Sequence, residues 1–100
     1  MINLTQIVGF DWNEANLSHI EKHTVAAKEC EEGFFNKPLT ITEDSAHSQA
    51  ERRYRAYGQT NSARVLVMIF TIRDGKIRII SARNQSKKER QDYNQLTKHL

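Results

Sequence analysis

The side chains with the most to say about chemistry are arginines and lysines set among aromatics. Arg52, Arg53, Arg55 and Arg64 fall in one stretch, interleaved with Tyr54 and Tyr57. Arg78, Arg83, Lys87, Lys88 and Arg90 fall in a second. A guanidinium is a planar fork that donates two parallel hydrogen bonds to a phosphate. A tyrosine ring offers a flat face on which an unpaired base can stack. Helix N-terminal N–H groups near Ser86 would add a dipole that favours an anion. Together these types support recognition of a polyanion and stabilisation of charge on a reacting phosphate. They also have an ordinary reading, with the arginines serving solubility and Tyr57 packing in a sheet.

The charge distribution is compatible with both readings. Residues 1–44 carry three lysines against eight acids, a net −5, and residues 45–100 carry twelve basic residues against four acids, a net +8. A basic C-terminal half suits a nucleic acid or an acidic protein partner. Other chemistries find less support. His19 and His23 share a helix face at i, i+4. However, Glu21 sits two residues after His19, about 200° around the helix, and not next to it as a zincin requires. No third ligand is suggested, so no metal site is expected. Cys30, the one cysteine, lies between Glu29 and Glu31 on an apolar stripe, which disfavours a thiolate. It reads as core, and no disulfide within the chain is possible. His23, at the edge of the first helix's apolar stripe, is either a packed helix-end histidine or a general acid–base.

These residues need a scaffold, and 100 residues make one domain, 1–100, with one modest core. No apolar run approaches a membrane span and no signal peptide opens the chain, so a soluble cytoplasmic protein is expected. A short strand falls within residues 7–12, and Asn13 caps a helix over 14–23 with Leu17, Ile20 and Thr24 on its stripe. A second helix, 26–35, buries Ala27, Cys30 and Phe34, and Pro38 stops it. A strand over 39–42 and a loop over 43–50 follow, then a strand over 52–57. Asp74-Gly75 reads as a two-residue hairpin turn. Its register sets Ile72 against Ile77, Phe70 against Ile79 and Met68 against Ser81 on the core side. Thr71 then faces Arg78, Ile69 faces Ile80 and Val67 faces Ala82 on the other. Ser86 and Glu89 form a capping box for a last helix with Tyr93, Leu96 and Leu100 on one stripe. The predicted class is α+β: two N-terminal helices, an antiparallel sheet of three to four strands, and a C-terminal helix.

The motif order resembles a known family. Phe10-Asp11-Trp12-Asn13, then His19 to Val25, then Glu31-Glu32-Gly33-Phe34-Phe35, is similar to the opening of BrnT toxins of type II toxin–antitoxin pairs. Arg53 to Thr60 resembles the family's middle strand. Ile77 to Arg83, followed by Ser86 to Tyr93, resembles its most characteristic segment. The resemblance spans about residues 8 to 93. Thr24 departs from it, standing where the family usually has glycine.

The resemblance implies a RelE-like fold and a metal-independent endoribonuclease that inhibits translation. Its partners would be RNA and a cognate antitoxin encoded nearby, in a heterotetramer built on a toxin homodimer. The RNA 2′-hydroxyl would attack the adjacent phosphate, and the protein would orient the reactants, move a proton and stabilise the phosphorane, with no cofactor. On this reading Arg78 and Arg83 contact phosphate and His23 moves the proton. Arg53, Tyr57, Lys87, Lys88 and Tyr93 hold RNA. Arg83 has a second reading, an ion pair with Glu89 across the strand–helix corner. The rival to the enzyme is a catalytically inactive, toxin-like protein that binds an antitoxin. A DNA-binding domain is disfavoured, since no helix combines a basic face with a helix-turn-helix pattern.

Overall fold

The computed structural model describes residues 3–47 and 50–98. It is α+β, with helices α1 (Glu14–Glu21), α2 (Ala27–Phe35) and α3 (Lys87–Thr97). The strands are β1 (Gly9–Phe10), β2 (Thr40–Glu43), β3 (Tyr54–Gln59), β4 (Val65–Arg73) and β5 (Lys76–Asn84). They form one five-stranded sheet in the order β1-β5-β4-β3-β2. The expected antiparallel sheet of three or four strands is therefore corrected to five strands in a mixed sheet. The short N-terminal strand joins β5 in parallel, with Gly9 against Lys76 and Phe10 against Ile77. It covers the edge that the hairpin would otherwise expose. No helix among the described residues is long and apolar enough to cross a membrane.

Both N-terminal helices pack on one face of the sheet. Ile20 from the first, Val25 from the corner between them, and Cys30 and Phe34 from the second join Ala56, Leu66, Met68, Phe70, Ile77, Ile79 and Ala82 in a single core. The close approach of α2 needs two glycines. A Cβ on Gly33 would meet Met68 Cε at 2.8 Å, and one on Gly58 would run into the Gly33 carbonyl oxygen. This fixes the strand at 54–59 and not at the expected 52–57, because Gly58 must lie under the helix.

The caps follow the sequence closely. Asn13 accepts from the Asn16 N–H and Asn16 from the Asn13 N–H, which starts α1. Ala26 has no capping side chain, but Glu29 accepts its N–H at 3.0 Å. Ser86 and Glu89 complete the predicted box at the start of α3. The first helix ends earlier than expected, at Glu21, and Thr24 turns the corner at φ 55°. That conformation favours glycine, the residue the resemblance places here. The early end also changes the stripe. Val25 enters the core in place of Thr24, and Leu17 stays 41% exposed. Tyr93 is buried while Leu96 remains partly exposed, and Leu100 lies outside the described residues.

The hairpin turn is as expected, with Asp74 at φ 54° and Gly75 at φ 75°. So are its first pairs: Ile72 with Ile77, Thr71 with Arg78, and Phe70 with Ile79. Beyond them the register slips. Ile69 pairs with Ser81, Met68 with Ala82 and Val67 with Arg83, leaving Ile80 as the extra residue of a bulge. The expected pairings of Met68 with Ser81, Ile69 with Ile80 and Val67 with Ala82 are thereby corrected.

Candidate nucleic-acid interface

The bulge decides where the arginines point. Side chains alternate along a strand, so Arg78 and Arg83, five residues apart, would face opposite sides of a regular β5. One extra residue shifts the phase and brings both to the same face. Register identifies that face. Met68, Phe70, Ile79 and Ala82 point into the helix-covered core, so Val67, Ile69, Thr71, Arg78, Ser81 and Arg83 point the other way. Across β3 the same face carries Arg55, opposite Ile69, and Tyr57, opposite Val67. Three arginines and a tyrosine thus share one side of the sheet, over a floor that includes Val67 and Thr71, both buried.

Each arginine is held by a carboxylate from outside the central strands. Arg83 makes a forked pair with Glu89 of α3, at 2.7 and 3.1 Å. Arg78 Nε lies 3.3 Å from Asp11 Oδ2, just past β1, within ion-pair range but outside hydrogen-bond geometry. Arg55 Nη2 reaches Asp44, just past β2, at 3.4 Å. Asp44 is buried. The Nε–H groups of Arg55 and Arg78 are buried and make no hydrogen bond. The Tyr57 hydroxyl, and after it Asp44, favour the charged form of Arg55 against burial and the like charge of Arg83. Glu89 raises the pKa of Arg83 in the same way. In return, hydrogen bonding from Arg83 brings the Glu89 carboxyl down to about 2.

That shift carries a stability prediction. Its folded pKa lies below the ordinary value, so Glu89 stabilises the fold fully above about 4.5 and loses this as pH falls towards 2. Arg83 is nearly half exposed and solvent weakens the pair, which leaves a contribution of about 1–2 kcal/mol. Glu89→Gln keeps an acceptor for the Ser86 N–H but loses the charge. The variant should be less stable by that amount near neutral pH, and the gap should close near pH 2. Urea unfolding at the two pH values reads it.

The other predicted site residues are spread more widely. Lys87 and Lys88 sit exposed on the first turn of α3, and Lys88 pairs with Asp92 at 2.8 Å. Arg53 is half-buried before β3, and its carbonyl accepts the Asp44 N–H. Tyr93 is buried and donates its hydroxyl to the Pro38 carbonyl at 2.5 Å. His23 is not brought to the arginine face. It lies in the corner after α1, on the helix-covered side, where its carbonyl accepts from Arg64. Arg64 is occupied there as well, bonding Glu29, the Thr24 carbonyl and Asn84. Sequence reasoning counted Arg55 among the basic residues without choosing it. Its signal was parity, since Arg55 and Tyr57 must share a face. Asp11 and Asp44 gave no signal, because each comes from a different edge of the sheet.

Among the described residues no group of three or more His, Cys, Asp or Glu is placed to hold a metal ion. Cys30 is buried, and burial followed by Glu29 and Glu31 pushes its thiol up to about 12. It is packing, not a nucleophile.

The fold is thus an α+β domain with three carboxylate-held arginines on one sheet face. Residues 12–89 match the family model described as the ribonuclease toxin, BrnT, of type II toxin–antitoxin systems. The match covers most of the chain, and the chain belongs to the BrnT toxin family. Its class is therefore the ribonuclease toxin of a type II pair, with an antitoxin protein as partner. Arg55, Tyr57, Arg78, Arg83 and Glu89 all fall inside the matched span, while Asp11 and Tyr93 fall outside it. No curated protein matches the chain.

Proposed function

We propose that the arginine face binds RNA through a phosphate and promotes attack of the 2′-hydroxyl on it, without a metal ion, so that translation stops. One observation carries this reading: Arg55, Arg78 and Arg83 stand on one face of the sheet, each held by a carboxylate and each with its side chain still 29–45% exposed. A guanidinium fixed by a carboxylate and still open to solvent can donate to a phosphate oxygen with little reorganisation. Arg78 and Arg83 neutralise the phosphorane, and Arg55 joins them. Arg53 before β3, and Lys87 and Lys88 on the first turn of α3, extend the basic surface. The antitoxin neutralises the toxin in the cytoplasm, in a heterotetramer built on a toxin dimer.

Cleavage of RNA by the purified chain is the direct test, and it should survive EDTA. Loss on chelation, restored by a divalent ion, would overturn the metal-free reading. His23 is the second point of the test. Its place at the end of the first helix suggests a proton-transfer role, whereas the corner past α1 lies on the helix-covered side of the sheet and not on the face of Arg55, Arg78 and Arg83. We assign it a structural place, so His23→Gln should cleave at the wild-type rate at neutral pH. A loss of about tenfold or more, some 1.4 kcal/mol of barrier, would bring the α1 corner into the reaction.

A second reading has one observation of its own. Every arginine on the face already has a carboxylate partner, as in a sheet whose ion pairs are structural. The chain would then bind its antitoxin without cutting RNA. Induced expression with and without the neighbouring gene, reading growth and RNA integrity together, separates the two.

A further inference from the structure

A pocket of about 270 Å³ opens on the arginine face where α3 crosses β2 and β3. Thr40, Tyr57, Glu89, Asp92, Tyr93 and Leu96 line it. Register places it in line with the phosphate site. Thr40, Tyr57, Val67 and Arg83 occupy one row across four strands. Adjacent strands are about 4.8 Å apart, so Tyr57 and Arg83 stand about 10 Å apart along the row. Glu89 belongs to both sites, since it lines the pocket and holds Arg83.

The lining suits a nucleobase. Two tyrosines and Leu96 supply apolar and aromatic wall, and the Tyr93 ring is fixed by its bond to the Pro38 carbonyl. Leu96 is 42% exposed at the rim, an apolar group that nothing in the fold covers. The charged part of the wall is two carboxylates, Glu89 and Asp92, beside the Thr40 and Tyr57 hydroxyls, which can donate or accept. Both Glu89 oxygens are engaged by Arg83. Asp92 holds only Lys88, in a pair with both side chains mostly exposed. Such a pair is weak and easily redirected.

We propose that this pocket seats a nucleobase next to the phosphate held by Arg83, and that Asp92 selects guanine. The inference rests on the RNA-cleaving reading of the arginine face. The selection follows from donor geometry. Guanine alone among the four bases presents two adjacent donors, N1–H and the 2-amino group, to the two oxygens of one carboxylate. Adenine and cytosine set a ring-nitrogen acceptor beside their amino group, and uracil sets carbonyls on either side of its one N–H. Each of these would leave a carboxylate oxygen facing another acceptor. An exposed carboxylate beside a polyanion is otherwise costly, and a donor pair on the base is what makes it useful.

The test uses the full chain on a random-sequence RNA pool, with cut sites mapped by sequencing, and binding of the four ribonucleoside monophosphates in parallel. Wild type should enrich guanosine at one position beside the break and bind GMP at least about fivefold tighter than UMP, a little under the worth of one to two hydrogen bonds. In Asp92→Asn both preferences should fall to near one, with cleavage at guanosine sites dropping towards the rate at the other sites. Substituting inosine, which lacks the 2-amino group, should weaken the wild-type preference. Arg78→Ala should lower cleavage of all sites alike and leave the base preference in place. Cleavage without any guanosine preference, or a preference that persists in Asp92→Asn, overturns the pocket assignment and leaves the nuclease reading standing. Selective GMP binding that depends on Asp92, without cleavage, supports the pocket and overturns the nuclease. Neither binding nor cleavage overturns both. Asp92 is exposed, so the substitution should leave the melting temperature unchanged. Leu96→Glu, which adds charge at the same rim, should lower GMP binding independently.

Discussion

Arg78→Ala is expected to lower RNA cleavage by about 100-fold or more, the usual loss when one preorganised donor to a developing anion is removed. The melting temperature should fall by only a few degrees. The size of the first effect follows from what surrounds the guanidinium. It stands on the open face with a buried Nε–H that Asp11 approaches at 3.3 Å but does not bond. The rest of the side chain stays 29% exposed, and a cation held in place there needs little reorganisation when charge develops beside it. The second effect follows from exposure. Arg78 and Asp11 side chains are about a third exposed, and a pair of that kind is worth about 1 kcal/mol or less. In a 100-residue domain this is a shift of about 4–8 °C at most. Initial cleavage rates and a thermal melt on the same sample read both. A melting temperature that collapses with the activity would mark Arg78 as structural and favour the non-catalytic reading. Raising salt should weaken RNA binding by wild type steeply, and less steeply by the variant, since one phosphate contact has gone.

The same residue shows what was legible in the sequence. A charge among apolar alternation partners announced that Arg78 needed a purpose, and the Asp74-Gly75 turn fixed its partner as Thr71. The caps at Asn13 and Ser86 and the burial of Cys30 and Phe34 were also local, set by residues within one turn of each other. The bulge was not legible. Ile80 is as good a strand former as its neighbours, with no glycine to mark a kink, so the turn's register ran on to the wrong pairs. That single residue decides whether Arg78 and Arg83 share a face or sit on opposite ones. Asp11 and Asp44 were hidden for a related reason. They reach the arginines from β1 and β2, the two edges of the sheet, and edge order is a matter of tertiary packing.

Arg64→Ala is expected to destabilise the fold by about 2–3 kcal/mol, among the larger costs a single surface-facing arginine can carry. By composition Arg64 is one more base in a basic half. By position it is a clamp. Its Nη1 donates to the Thr24 carbonyl at 2.7 Å and to Glu29, at 3.0 and 3.2 Å. Its Nη2 reaches the His23 carbonyl and its Nε the Asn84 side chain at 2.7 Å. One guanidinium therefore ties the corner between α1 and α2 to the ends of β4 and β5. The corner has particular need of it, because Thr24 is held at φ 55°, where a β-branched residue is strained. Truncation leaves the Thr24 carbonyl without the Arg64 donor, reduces His23 and Glu29 to the Thr24 hydroxyl and the Ala26 N–H, and frees the strained turn to relax. The midpoint of thermal unfolding should drop by about 10 °C or more. Thr24→Gly should recover part of the loss, since glycine adopts that φ without cost and would need less clamping. RNA cleavage below the new midpoint should stay near wild type, because Arg64 lies at the sheet end on the helix side, away from Arg78. A double-mutant cycle between Arg64→Ala and Thr24→Gly measures the coupling. Additive changes would show that the clamp and the strained corner are independent, and a loss of cleavage at full stability would move Arg64 into the RNA surface.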